Sequence, residues 1–338
     1  MQCLRGRGDN DPLGSSRDRT PYRNTGKGPD VQMSHVTSDV TPRSAFLEFG
    51  STSIKFYLVE SRGTGGQIVE EVKVPWEMGY DVFQHSRIAP STMAKCTSAL
   101  RELQARFRNV SLRNATAIGT AALREAQNSD LFQRVIREEL GLRLSIVPGG
   151  IEAFLLETGF RPLVESFPTG VFDLGGGSLE FVEFLAPHST KKSSLPLGAI
   201  RLHCQIRSAR DLFAYIYTGR KEAARLLREY LPVVDMHYGE LIGTGGTVRT
   251  IGELLDADTF TMEDIIGLLD REVRGRVWSE VSAHRRKVLL PGLLVVESLL
   301  ATLKLKHIVY RSQAVKHGLI HVTNLIPSGT PSRSDAEL

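Results

Sequence analysis

Two glycine-hydroxyl turns, each beside a carboxylate, are the part of this chain best suited to chemistry. The first lies in Glu48-Phe49-Gly50-Ser51-Thr52-Ser53 and the second in Asp173-Leu174-Gly175-Gly176-Gly177-Ser178. An offset of 125 positions lays Glu48 on Asp173, Gly50 on Gly175, Ser53 on Ser178 and Phe56 on Phe181. Glycine lets backbone N–H groups converge on an anion, and hydroxyls add donors. The neighbouring carboxylate can hold a divalent cation, directly or through water. Two such turns from two similar half-molecules point to a phosphate gripped between two lobes. Three successive glycines lose much entropy on folding, and close approach to a ligand would explain that cost. The dinucleotide fingerprint G-x-G-x-x-G is absent, and each turn leads into a strand instead of a helix.

A third glycine loop, Gly243-Thr244-Gly245-Gly246-Thr247, sits between a strand and a helix, which directs helix N-terminal N–H groups at an anion. Glu152 begins the helix before the second half, and Asp173 and Glu180 flank the central turn. Three carboxylates beside phosphate loops could hold Mg²⁺ and orient a water, although each taken alone reads as a solvated surface charge. Arg124 follows a strand end and offers the fork of donors that suits phosphate. His284 and His317 have no metal-ligand spacing and read as structural or surface residues. G-x-S-x-G is absent, which removes the α/β-hydrolase elbow.

These residues need a scaffold of hairpins and strand-to-helix loops, and the surrounding pattern supplies one. Strands are expected over 45–60, 67–74, 115–118 and 144–147, with helices from Pro90, from Ser129 or Asp130 to Gly141, and from Ile151. A second unit repeats the hairpin near 170–186, then a helix over 209–231, a strand at 239–242, a helix to Leu255, a helix over 289–303, a strand at 307–310 and a last helix. The order is α/β. With 338 residues the chain accommodates two domains, and 41% hydrophobic and 24% charged residues are ordinary for a globular protein. A net charge of +4 does not by itself argue for nucleic acid. Cys3, Cys96 and Cys204 are far apart, without C-x-x-C spacing, so a reducing cytosol fits best. The apolar stretch from Val288 to Leu305 contains Pro291, Glu297 and Lys304 and reads as a buried helix, not a membrane span. Residues 1–42 and 326–338 read as disordered tails, with Met33 an alternative start.

The chain resembles the exopolyphosphatase/guanosine pentaphosphate phosphohydrolase (Ppx/GppA) family of the actin-like superfold. The resemblance runs from Phe46 to Ile320. It is carried by Phe172-Asp173-Leu174-Gly175-Gly176-Gly177-Ser178-Leu179-Glu180-Phe181, Leu195-Pro196-Leu197-Gly198-Ala199-Ile200-Arg201-Leu202, Gly243-Thr244-Gly245-Gly246-Thr247-Val248-Arg249-Thr250 and Gly119-Thr120-Ala121-Ala122-Leu123-Arg124-Glu125-Ala126. It implies two actin-like (ribonuclease H-like) lobes, here 43–167 and 168–325, with an interdomain cleft and with the last helix packing back on the first lobe. It implies Mg²⁺-dependent (or Mn²⁺-dependent) release of terminal phosphate from inorganic polyphosphate or guanosine pentaphosphate, in the cytoplasm, with no membrane and no specific nucleic acid; a homodimer is consistent with it. By the same resemblance Glu152 is the water-activating residue, with Asp173 and Glu180 as catalytic carboxylates. Glu48, Asp173 and Glu180 would hold metal. Gly50, Ser51, Thr52, Ser53, Arg124, Gly175, Gly176, Gly177, Ser178, Gly245, Gly246 and Thr247 would bind substrate.

This chain departs from the family pattern in four places. Glu48 and Thr52 replace the usual aspartate and asparagine, Phe154 replaces an arginine, and Lys316-His317-Gly318 replaces Arg-Glu-Gly. It also lacks the extra helical domains of longer members, which predicts lower processivity. Two other readings stay open from the sequence: a polyphosphate or alarmone sensor without turnover, and a sugar or acetate kinase-like enzyme of the same superfold.

Overall fold

Alternating apolar residues build the first hairpin, and both of its faces are buried. A computed structural model describes residues 43–62, 65–231, 238–275 and 281–325; the two expected tails, the alternative start at Met33 and the tip of the 61–66 turn lie outside them. The first half runs β1 (Arg43–Phe49), β2 (Ser53–Arg62), β3 (Gly65–Pro75), α1 (Met78–His85), α2 (Pro90–Arg106), β4 (Thr116–Gly119), α3 (Ala121–Glu125), α4 (Ser129–Leu140), β5 (Leu144–Ile146) and α5 (Gly149–Phe160). The second runs β6 (Thr169–Leu174), β7 (Leu179–Ala186), β8 (Ser189–Leu195), α6 (Ala199–Ile206), α7 (Leu212–Tyr230), β9 (Glu240–Thr244), α8 (Gly246–Leu255), β10 (Thr259–Thr261), α9 (Met262–Val273), α10 (Ala283–Leu303), β11 (His307–Tyr310) and α11 (Val315–Leu325).

The two sheets have one plan. The first is ordered β3-β2-β1-β4-β5, and the second contains β8-β7-β6-β9-β11 with β10 added at its far edge. In each, a three-strand antiparallel meander continues through parallel strands: β1 with β4 and β4 with β5, then β6 with β9 and β9 with β11. This is an α/β architecture in which the two sheets repeat one strand order.

The period of two along each strand divides the core. Ala45, Leu47 and Phe49 face one cluster with Ile54, Phe56 and Leu58, under α2 and α4. Phe46, Tyr57 and Val59 face the opposite way, into a cluster shared with Val171, Val182 and Phe184 of the second sheet. Leu155, Leu156 and Phe160 of α5 and Val315, Leu319 and Ile320 of α11 fill this shared core. Phe172, Leu174, Leu179 and Phe181 face the outer cluster beneath α7 and α10. Glu48, Asp173 and Glu180 have the parity of Phe46, Val171 and Val182, so all three carboxylates point toward the space between the sheets. Helix α11 lies against α5, and its Lys316 reaches Glu71 on β3 at 2.6 Å.

Six of these elements were not expected from the sequence: α1, α3, α6, α9, β8 and β10. Strand β8 reads Ser-Thr-Lys-Lys-Ser-Ser-Leu, with no apolar alternation. It is a sheet edge, where lysines discourage pairing with another chain, and it forms because β7 offers it a full ladder. The Pro291-containing helix α10 is buried over Val288 to Leu300, and no described helix is long and apolar enough to cross a membrane.

Candidate active site

The two glycine turns close in the same way and then meet. Gly50 N–H donates to Ser53 O and Gly175 N–H donates to Ser178 O, both at 3.0 Å. The start of a helix caps each turn. Gly79 N–H, in α1, donates to Ser51 O at 2.8 Å; Ile200 N–H, in α6, donates to Gly176 O at 2.9 Å. Among the described residues the N–H groups of Ser51, Thr52, Gly176 and Gly177 donate to no protein acceptor, which is the pattern of an anion cradle.

The glycine triplet has a different reason from the one its sequence suggests. A Cβ on Gly177 would lie 2.4 Å from Ser51 Oγ, and one on Gly176 would lie 2.9 Å from Thr52 Oγ1. The second turn lacks side chains because the first turn presses against it. This contact joins the two sheets at the floor of the cleft.

Among the described residues four carboxylates line the cleft: Glu48, Glu152, Asp173 and Glu180. Glu152, in the first turn of α5, is buried, and its Oε1 accepts from Arg124 Nη1 at 2.8 Å. The same Nη1 donates to Val147 O at 2.7 Å, which anchors the guanidinium to the loop before α5. Burial pushes the Glu152 carboxyl up to about 7, with Arg124 opposing and the charges of Glu48 and Asp173 adding. Asp173 and Glu180 are partners across the β6–β7 ladder. Burial raises Asp173 to about 6 against the pull of Lys55. Glu180 is held well above the carboxylate range by burial and by the charges of Glu152 and Asp173, although Ser178 and Ser194 donate to it, the latter at 3.0 Å. Glu48 accepts from Lys55 Nζ at 2.7 Å, its direct partner across β1 and β2.

A cationic wall, which no sequence motif marks, lies beside these acids. Lys55, Lys73 and Arg285 line the adjoining cavity with Thr52, Gly175, Gly176, Gly245, Gly246 and Thr247. Lys55 and Lys73 sit directly opposite each other on β2 and β3. Like charges in that position are destabilising, which is a signal for an anionic ligand that strand register could have revealed. Burial, then the charges of Arg285, Lys55 and Arg249, depresses the Lys73 ammonium to about 7. Burial also lowers Arg285, whose Nη2 is buried without a hydrogen-bond partner among the described residues. Gly245 has φ of 96°, and a Cβ there would strike Asp173 Oδ1 at 2.6 Å, so the third glycine loop abuts the central carboxylate.

Apart from Arg124, which is joined to the site by its bond to Glu152, the sequence-selected residues line two adjoining cavities that share Thr52, Ser53, Asp173, Gly175 and Gly176. The structure does not gather Glu48, Asp173 and Glu180 as ligands of one ion: among the described residues no group of three His, Cys, Asp or Glu side chains could hold a metal. Glu48 turns to Lys55 and Glu180 turns to Ser194. His317 Nδ1 accepts from Ala314 N–H at 3.1 Å and His284 Nδ1 lies 2.8 Å from Glu77 Oε1; neither lines the cleft. Phe154 is 42% exposed on α5.

Comparison with known proteins gives a consistent result. A guanosine-5'-triphosphate,3'-diphosphate pyrophosphatase of Photobacterium profundum is 23% identical over 298 residues, which cover 83% of this chain and 59% of that protein. A protein of the same description from Aliivibrio fischeri is 22% identical over 69% of this chain and 47% of its own length. This chain thus spans about half the length of these relatives. A solved exopolyphosphatase of Cytophaga hutchinsonii shares the fold with a TM-score of 0.71 at 18% identity, over 84% of this chain and 98% of that one. An Aquifex aeolicus member of the Ppx/GppA family superposes with a TM-score of 0.66 at 19% identity, over 85% and 99%. The Ppx/GppA phosphatase family profile matches residues 58–325, and the chain belongs to that family.

Proposed function

We propose that this protein is an exopolyphosphatase that removes the terminal phosphate of inorganic polyphosphate, with guanosine pentaphosphate as a related substrate. The observation that carries this reading is the pairing of unlike walls in one cleft. Turn N–H groups and Arg285 Nη2, without partners among the described residues, line together with Lys73 the cavity that adjoins the one holding the buried carboxylate Glu152, whose pKa is raised to about 7.

Each wall has its own task. The N–H groups of the two turns and the cations take up charge on the terminal phosphoryl oxygens as the anhydride P–O bond breaks. Arg124 has its Nη1 committed to Glu152 and Val147, which leaves Nη2 for a phosphoryl oxygen. Glu152, as carboxylate, accepts the proton of the attacking water while that oxygen bonds to phosphorus. The bridging oxygen leaves on the shortened chain. A base with a pKa near 7 is half ionised at neutral pH and still basic enough to receive a proton.

Phosphate release from long-chain polyphosphate and from guanosine pentaphosphate, measured side by side, tests the reading. Faster release from polyphosphate supports it. Release from the nucleotide alone reverses the substrate order, and tight binding of polyphosphate without release from either substrate contradicts hydrolysis.

A further inference from the structure

Lys55 is a half-buried cation of the cleft that is paired with one of its acids. Its Nζ lies 2.7 Å from Glu48 Oε1, and Lys55 lines both halves of the cavity together with Asp173. The pair is built into the sheet. Glu48 and Lys55 are facing residues in the antiparallel β1–β2 ladder, one step from the turn, with Phe49 and Ile54 closing the strands. The Glu48 carboxylate also lies within reach of Tyr57 OH, at 3.5 Å.

The remaining carboxylates are engaged elsewhere. Glu152 is bound by Arg124 and Glu180 by Ser194, which leaves Asp173 as the cleft carboxylate with no side-chain hydrogen bond among the described residues. Magnesium sites require near-octahedral oxygen geometry and usually combine one or two carboxylates with water and substrate phosphates. A lone aspartate beside an ammonium is a poor resident site, because the ammonium both occupies Glu48 and repels the incoming ion.

We propose that the Lys55 ammonium is the resident counter-cation of this cleft, filling the charge position between Glu48 and Asp173 at which a divalent metal would otherwise be held. The substrate-free protein then binds Mg²⁺ or Mn²⁺ weakly, and divalent ions reach the cleft as counter-ions of the polyanion. The inference rests on reading the cleft as a phosphohydrolase site, but its test contains no substrate. Cation binding can therefore fail the prediction while hydrolysis stands, and the reverse.

The test is an electron paramagnetic resonance titration of free hexaaqua Mn²⁺ with the full chain. Wild type and Lys55→Arg are expected to bind Mn²⁺ weakly. Lys55→Met, which keeps the apolar stem, should bind one Mn²⁺ about ten-fold tighter or more, since a repelling charge is gone and Glu48 is released. Adding Glu48→Gln to Lys55→Met should abolish the gain. Near-ultraviolet circular dichroism checks that each variant is folded. Stoichiometric Mn²⁺ binding by substrate-free wild type would overturn the proposal whatever the variants do, as would a gain that survives Glu48→Gln.

Discussion

At the scale of single residues, Glu152 is the group on which chemistry and stability disagree. Its carboxyl is buried and its pKa is raised to about 7 from an ordinary 4.5. A carboxyl whose folded pKa is raised binds a proton more readily in the folded state than in the unfolded one. Its contribution is therefore most favourable below the unfolded value and is lost as pH climbs from about 4.5 to about 7. Glu152→Gln keeps the acceptor for Arg124 and removes the charge. It should raise stability at pH 8 by about 1–3 kcal/mol, with the gain vanishing near pH 5, as read from thermal melts at the two pH values. The same substitution should cost about 100-fold or more in phosphate release.

Two titrations near neutrality shape the pH profile. Glu152 must be ionised to accept a proton, so kcat/KM should rise through about pH 7. Lys73 must be protonated to hold the polyanion, so kcat/KM should fall above about pH 7. The outcome is a narrow bell centred near neutrality. At saturating substrate the bound polyanion raises Lys73, so the alkaline limb of kcat should move up relative to that of kcat/KM. A flat kcat/KM between pH 6 and 8, measured against polyphosphate at fixed ionic strength, would contradict both assignments.

At the scale of elements, much of the site was legible because it sits on repeated local signals. The glycine turns at 50–53 and 175–178, the loop at 243–247 and the helix start at Glu152 are each marked by glycine punctuation between apolar runs, and the structure places all of them in the cleft. What stayed hidden depends on register. Lys55 and Lys73 become neighbours only when β2 pairs with β3, and Arg285 enters only when α10 folds against Gly246. Strand β8 has no apolar alternation, so Ser194, which holds Glu180, was invisible as well. The glycine triplet was legible as a site of close approach, but the approaching group is the Ser51-Thr52 turn.

The crossing of α5 and α11 shows the same dependence on tertiary contact. A Cβ on Gly318 would fall 1.8 Å from Leu155 O, and Leu155 follows Glu152 by one turn of α5. The methyl group of Gly318→Ala can be accommodated only if the helices part. We expect a loss of about 3 kcal/mol or more, seen as a lower thermal midpoint. Because α5 carries Glu152, the loss in kcat should exceed the loss in polyphosphate binding. Unchanged melting would show that the crossing is looser than the structure indicates.

At the scale of the whole molecule, the two sheets are tied by a shared apolar core, by the meeting of their turns and by ion pairs at the rim. Arg201, on α6 of the second half, donates through Nε to Gly177 O at 2.7 Å and pairs with Glu125 on α3 of the first half. Its side chain is only 11% exposed, so its loss leaves a buried carbonyl without a partner. Arg201→Ala should therefore lower the urea midpoint by the equivalent of about 1–3 kcal/mol. Arg225→Ala, which removes an exposed guanidinium paired with Glu222 and Glu229 on α7, should leave the midpoint where it is. Equal effects from the two variants would show that Arg201 is no tie between the halves.

Hydrolysis of polyphosphate through Glu152, in a cleft formed by two facing glycine turns, is the proposal on which the rest depends. The most direct measurement is phosphate release from long-chain polyphosphate by wild type and by Glu152→Gln, with polyphosphate binding measured on both. Release by wild type, a loss of about 100-fold or more in the variant, and retained binding by both are expected. Equal release from wild type and Glu152→Gln would contradict the assignment of the base, and binding without release by wild type would contradict hydrolysis itself.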